Sequence, residues 1–168
     1  MSKIRIVTTL SIDGFCVPQK LQELFGFNAS QYENLCLDAD AVLINKDEYM
    51  NLREIELDCG MPLYVIQKDC SLMSDDESRR LTIGDLESEG KKNIVIIGNK
   101  PTLIYSLLNN DQLDEISICQ FPVILGKGKR IFPALLEYSL WKVKSRQLFD
   151  SCITIIHYHK QIQGGIRR

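Results

Sequence analysis

The sequence predicts an α/β fold, a mixed and mostly parallel sheet flanked by helices and closed by a C-terminal antiparallel hairpin. Three observations carry this. The runs Ile4 to Leu10, Ala39 to Ile44 and Asn93 to Ile97 are rich in β-branched and aliphatic residues, as strands covered on both faces are. Each is followed by a polar or glycine-bearing junction and then by a stretch that can form a helix. The last part of the chain alternates polar and apolar residues over Trp141 to Phe149 and Cys152 to Lys160, on either side of Asp150-Ser151.

Taken in order, the first strand ends at the turn cluster Ser11-Ile12-Asp13-Gly14. A short helix is expected at Lys20 to Phe25, and Asn28 or Ser30 can cap a second one running to Leu37. The second strand leads through Asn45-Lys46-Asp47 into a helical stretch ending near Arg53. A third strand is expected at Leu63 to Gln67, and Lys68 to Arg80 reads as a polar loop whose acidic run is a solvated turn. After Asn93 to Ile97, Gly98-Asn99-Lys100-Pro101-Thr102 leads into a helix over Leu103 to Asn109, with Pro101 where a first-turn proline is tolerated. Leu113 to Val123 supplies another strand, and Leu125 to Arg130 a flexible basic loop.

Length and composition bound the rest. The 168 residues, 45% hydrophobic and 25% charged, suit one globular domain over residues 1–163 with a frayed tail at 164–168. No apolar run is long enough for a membrane span, and the N-terminus passes straight into a strand, so a cytoplasmic protein is expected. A net charge of -2 gives no general reason to bind nucleic acid. The six cysteines form no C-x-x-C pair and are expected to be reduced thiols, several of them in the core.

Ligands of such sheets gather at the carboxyl ends of the strands, so the junctions there are the candidate chemistry. At Gly98 to Leu103, glycine permits close backbone approach and a helix start offers unpaired N–H groups to a phosphate, with Lys100 adding a cation and Thr102 a hydroxyl. Taken alone, the same residues read as an ordinary helix cap. Asp13, at the mouth of the first strand, could bind a heterocycle or assist proton transfer, or simply form an Asx turn. Lys46 could approach a phosphate, although Asp47 and Glu48 would repel one; alone, the segment is a helix start. Gly126-Lys127-Gly128-Lys129-Arg130 could bind phosphate or be a solvated loop. His157 and His159 share a face of the final strand, but no third ligand suggests a metal site.

The order and spacing of these junctions resemble the dihydrofolate-reductase-like family, specifically the reductase half of the bifunctional deaminase/reductase of riboflavin biosynthesis. Thr9-Leu10-Ser11-Ile12-Asp13-Gly14 is similar to the family's T-x-S-L-D-G, and Asp38 to Ile44 to its A-D-A-V-L-x-G segment. Ile96 to Leu103 resembles its cofactor junction, and Leu113 to Ile116 its V-D-E-L. Pro122 to Phe132 is similar to P-V-x-L-G-x-G-x-x-L-F, the most specific of these signals.

The resemblance implies a three-layer fold and NADPH as cofactor. The pyrophosphate would lie near Gly98, Asn99, Lys100, Pro101, Thr102 and Leu103, and the nicotinamide near Thr9 and the end of the second strand, where Asn45 and Lys46 stand. It implies Asp13 as the catalytic residue, with Asp13, Gly126 and Lys127 on a heterocyclic small-molecule substrate, and a homodimer. The reaction implied is hydride transfer to a carbon-nitrogen double bond of a pyrimidine or pteridine-like compound. Where the family carries a phosphate-binding arginine in the helix before the second strand, this chain has Cys36. A reductase-fold protein that binds a nucleotide, a small ligand or a partner without turnover is the alternative reading.

Overall fold

The computed structural model describes residues 2–46, 62–74, 77–98, 100–132 and 136–161. The element order is β1 (Lys3–Leu10), α1 (Gln19–Leu24), α2 (Ala29–Leu35), β2 (Ala41–Asn45), β3 (Leu63–Ile66), β4 (Leu72–Ser74), β5 (Arg80–Leu81), α3 (Ile83–Ser88), β6 (Asn93–Ile97), α4 (Pro101–Asn109), β7 (Glu115–Gln120), β8 (Trp141–Phe149) and β9 (Ile153–Lys160). The strands form one sheet in the order β5-β4-β3-β2-β6-β1-β7-β9-β8. Its centre, β3-β2-β6-β1-β7, is parallel, and both flanks are antiparallel. This is the expected mixed α/β architecture.

The apolar runs become central strands because both of their faces are covered. Ile4, Ile6, Leu43, Ile94 and Ile96 point to one side, where they pack with Leu86 of α3 and Leu103, Ile104 and Leu107 of α4. The alternate residues Val7, Val42, Ile44, Val95 and Ile97 point to the other, against Tyr32 and Leu35 of α2 and Phe27 before it. Helices on both faces make three layers. Carboxylates staple the lower strand ends: Asp40 Oδ2 accepts the N–H groups of Lys92 and Asn93, each at 2.9 Å, and Asp114 Oδ2 accepts that of Ile4 at 2.8 Å. Asn28 caps α2 with a full capping box, as its position suggested.

Four expectations need adjustment. The segment read as a polar loop over Lys68 to Arg80 folds back as the meander β4–β5, because Leu72 and Leu81 are buried against β3 and the core. It leads into α3, a helix not anticipated, whose Thr82 and Asp85 form a reciprocal capping box. The strand expected over Leu113 to Val123 is limited to Glu115–Gln120, and α2 ends at Leu35 rather than Leu37. The helical stretch expected after Asn45-Lys46-Asp47 and ending near Arg53 lies outside the described residues, as do the tail at 164–168 and Cys59. Among the described residues the other five cysteines form no disulfide, and Cys36 and Cys119 are fully buried. Among the described residues, no helix is long and apolar enough to cross a membrane.

Candidate functional site

A cleft of about 870 Å³ opens at the carboxyl ends of the central strands. The end of β2 contributes Asn45 and Lys46, and the end of β3 contributes Ile66, Gln67, Lys68 and Asp69. Arg80 reaches it from β5, Lys100 and Pro101 from the start of α4, and Lys129 and Arg130 from the long loop after β7. Six cations therefore face one described carboxylate, and that carboxylate is engaged. Asp69 accepts the Ser71 hydroxyl at 2.6 Å and the Ser71 N–H at 3.0 Å, with Arg80 at 3.9 Å. Those hydrogen bonds, led by the hydroxyl, hold its carboxyl below the usual carboxylate range.

The start of α4 suits an anion. Its N-cap residue, Lys100, makes no side-chain cap, and the first helical residue is Pro101, which has no N–H. The N–H groups that follow Pro101 and the positive end of the helix dipole are left for an anion, and the Lys100 ammonium donates to Lys68 O at 3.4 Å. Gly98, at φ 102°, makes the turn from β6 in a conformation that a side chain would strain, and its N–H donates to Val7 O at 3.2 Å.

The sequence-predicted residues divide among different environments. Asn45, Lys46, Lys100 and Pro101 line the cleft. Gly98 forms the adjoining turn, and Asn99 lies outside the described residues. The Thr102 hydroxyl stands 3.4 Å from Cys70 Sγ. The Leu103 side chain is a core residue of the sheet–α4 interface, which leaves only its N–H for a ligand.

The Thr9 and Asp13 side chains are both engaged within the chain. Thr9 is buried, and its hydroxyl accepts from Gln22 Nε2 at 3.1 Å, inside a network in which Gln22 also donates to Val17 O at 2.8 Å and accepts from Tyr32 OH at 2.6 Å. Its side chain thus faces α1, on the side away from α4, because strand residues alternate between faces. Asp13 Oδ1 accepts the Ser11 hydroxyl at 2.6 Å and Leu125 N–H at 3.1 Å, and Oδ2 accepts Gly126 N–H at 2.7 Å. The Ser11 hydrogen bond first, then those two backbone donors, pull its pKa down to about 2 against the opposing effect of partial burial. In this structure the ionised Asp13 carboxylate fastens the turn after β1 to the loop after β7.

Gly126 is the other half of that fastening, and Lys127 is exposed outside the cleft lining. Sequence reasoning missed Lys68 and Arg80 as site residues, and placed Lys129 and Arg130 in a loop that could bind phosphate or be solvated. The basic loop signalled the last two, whereas Lys68 and Arg80 were hidden in a segment read as solvated. Elsewhere, His157 Nδ1 pairs with the buried Ser117 hydroxyl at 2.7 Å between β7 and β9. A smaller apolar cavity of about 440 Å³ lies at the other end of α4, between Leu108, Ile116, Trp141 and Tyr158, away from the parallel strand ends.

Comparison with known proteins agrees with this architecture. Residues 82–153 match the RibD C-terminal domain. A putative riboflavin biosynthesis protein from Shewanella sp. PV-4 superposes with a TM-score of 0.73 at 18% identity, covering 95% of this chain and 99% of that one. A pyrimidine reductase-like protein from Corynebacterium diphtheriae gives 0.72 at 13% identity, over 96% and 92% of the two chains. The diaminohydroxyphosphoribosylaminopyrimidine deaminase/5-amino-6-(5-phosphoribosylamino)uracil reductase of Thermotoga maritima gives 0.60 at 11% identity, covering 95% of this chain and 57% of that one. No curated protein matches the sequence significantly. Residues 82–153 are thus similar to the RibD C-terminal domain, and the fold is shared with the riboflavin-biosynthesis proteins that the motifs resemble.

Proposed function

We propose that the protein is an NADPH-dependent reductase that transfers hydride to a carbon-nitrogen double bond of a pyrimidine or pteridine-like substrate, as a 5-amino-6-(5-phosphoribosylamino)uracil reductase does. The observation that carries the proposal is the cleft at the strand ends, where six cations and the start of α4 converge. This donor set fits a dinucleotide bearing several phosphates. Lys100 and the first N–H groups of α4 would hold the pyrophosphate, and Lys46, Lys68, Arg80, Lys129 and Arg130 would share the remaining phosphate charge. Bound NADPH would supply the hydride and its electronics.

The chain's own contribution is binding, orientation and exclusion of water. In well-oriented systems such positioning is worth about 7 to 11 kcal/mol, so the reading requires no nucleophile. The fastened state of Asp13 is consistent with that division of labour. The reading includes a homodimer through the β8 edge, which carries exposed Val143 and Leu148 and, among the described residues, has a sheet neighbour, β9, on one side only. Sedimentation as a monomer at working concentration would remove that part.

The test is nicotinamide absorbance in the presence of purified protein and either the ribosylaminopyrimidine phosphate intermediate or dihydrofolate. Substrate-dependent oxidation of NADPH is the expected result. Binding without oxidation of either would leave a ligand-binding protein of reductase fold.

A further inference from the structure

The loops after β1 and β7 are far apart in sequence but tied together at the rim of the cleft. The Asp13 carboxylate takes the N–H groups of Leu125 and Gly126, Ile12 N–H donates to Val123 O at 2.8 Å, and Cys16 N–H donates to Lys129 O at 2.8 Å. Between these ties the chain turns at Gly126 and Gly128, with φ values of 76° and 142°. A Cβ on Gly128 would lie 3.5 Å from Phe15 Cβ, so the loop runs against that ring. The Arg130 guanidinium then stacks over the same ring, 4.3 Å from its centroid. The fastened loop ends with Lys129 and Arg130 on the cleft lining.

We infer that Asp13 is a positioning residue that acts through Lys129 and Arg130: its carboxylate holds the 125–130 loop in the form that delivers these two cations to a phosphate-bearing ligand. The inference rests on the reading of the cleft as a phosphate site. An ionised carboxylate is the group this joint needs, because three donors converge on its two oxygens and an amide would turn N–H against N–H at one of them. The charge of Asp13 is consumed by the loop backbone and the Ser11 hydroxyl, which leaves the two cations turned to the cleft.

The experiment is calorimetric titration of the full chain with inorganic pyrophosphate and, separately, with NADPH. It compares wild type, Asp13→Asn, the Lys129→Ala/Arg130→Ala double variant and the triple variant. Asp13→Asn is expected to weaken binding by roughly ten- to a hundredfold, the range for losing charge-assisted contacts, and the triple variant to bind no more weakly than the double. That non-additivity is the signature of action through the two cations, which a general loss of structure would not give. If Asp13→Asn does not fold, Ser11→Ala loosens the same joint more gently. It should weaken binding in the wild-type background and leave the double variant unchanged. Wild-type affinity in the folded Asp13→Asn or Ser11→Ala protein, or losses that add in full to those of the double variant, would overturn the inference. Pyrophosphate binding without NADPH binding would remove the cofactor reading and leave the role of Asp13 to be judged on pyrophosphate alone; binding of neither would overturn both.

Discussion

Gly126 donates its N–H to Asp13 Oδ2 at 2.7 Å across 113 residues of sequence, which makes the turn after β1 and the glycine-rich loop after β7 one structural unit. The pH dependence of this joint follows from the Asp13 pKa, lowered from 3.8 to about 2. A carboxylate whose folded pKa is depressed contributes stability that is fully present above its unfolded pKa and is lost as pH falls through its folded one. Asp13→Asn should therefore lower the thermal midpoint relative to wild type at neutral pH. That gap should begin to close below about pH 4 and vanish only below about pH 2, where protonated Asp13 resembles the amide. A gap independent of pH over this range would contradict the ionised joint.

Thr9 and Gln22 give a prediction that separates structure from ligand binding. Gln22→Leu removes the donor to Val17 O and the acceptor of Tyr32 OH inside the core, and should cost about 3 kcal/mol in denaturant unfolding. Thr9→Val removes one hydroxyl contact and should cost about 1 kcal/mol. Because that hydroxyl faces α1, the Thr9→Val protein should bind NADPH like wild type. A large loss of affinity with normal stability would place the Thr9 hydroxyl against the ligand.

The thiols should differ sharply in reactivity. Burial pushes the Cys119 thiol up to about 12, and Cys36 is equally inaccessible, whereas Cys152 is exposed in the turn between β8 and β9. Alkylation of native protein at mildly alkaline pH should label Cys152 well before Cys36 or Cys119, which should react only on unfolding. Peptide mass spectrometry reads this directly, and early modification of Cys119 would contradict the packing of β7 against β9.

These relationships also show how far the sequence could be read. The central strands were legible because Val42 to Ile44 and Ile94 to Ile97 are covered on both sides, so their apolar runs are unbroken. The turn at Asp150 and Ser151 was legible from the alternation flanking it, and both residues take the positive φ a tight hairpin turn requires. The meander was not, because β4 and β5 have three and two residues, too few for alternation to stand out from polar surroundings. Its helix α3 carried a readable signal in Thr82 and Asp85 that was passed over. Motif resemblance marked Thr9, Asp13 and Leu103 as site positions. Their side-chain directions depend on sheet face and on contacts with loops more than a hundred residues away, which local pattern does not carry.

The cations of the cleft predict a graded response. Arg80→Ala should weaken NADPH binding by roughly tenfold, the scale of one charge-assisted contact, and increasing salt should weaken wild-type binding more than it weakens the variant. Equal salt sensitivity of the two proteins would remove Arg80 from the ligand's surroundings.

The central claim is that the cleft at the strand ends holds NADPH, and the most direct measurement is a nicotinamide-fluorescence titration of purified protein with NADPH and, separately, NADH. The account predicts saturable NADPH binding that high salt weakens and that the Lys129→Ala/Arg130→Ala substitutions reduce. No binding of either dinucleotide at millimolar concentration would contradict it.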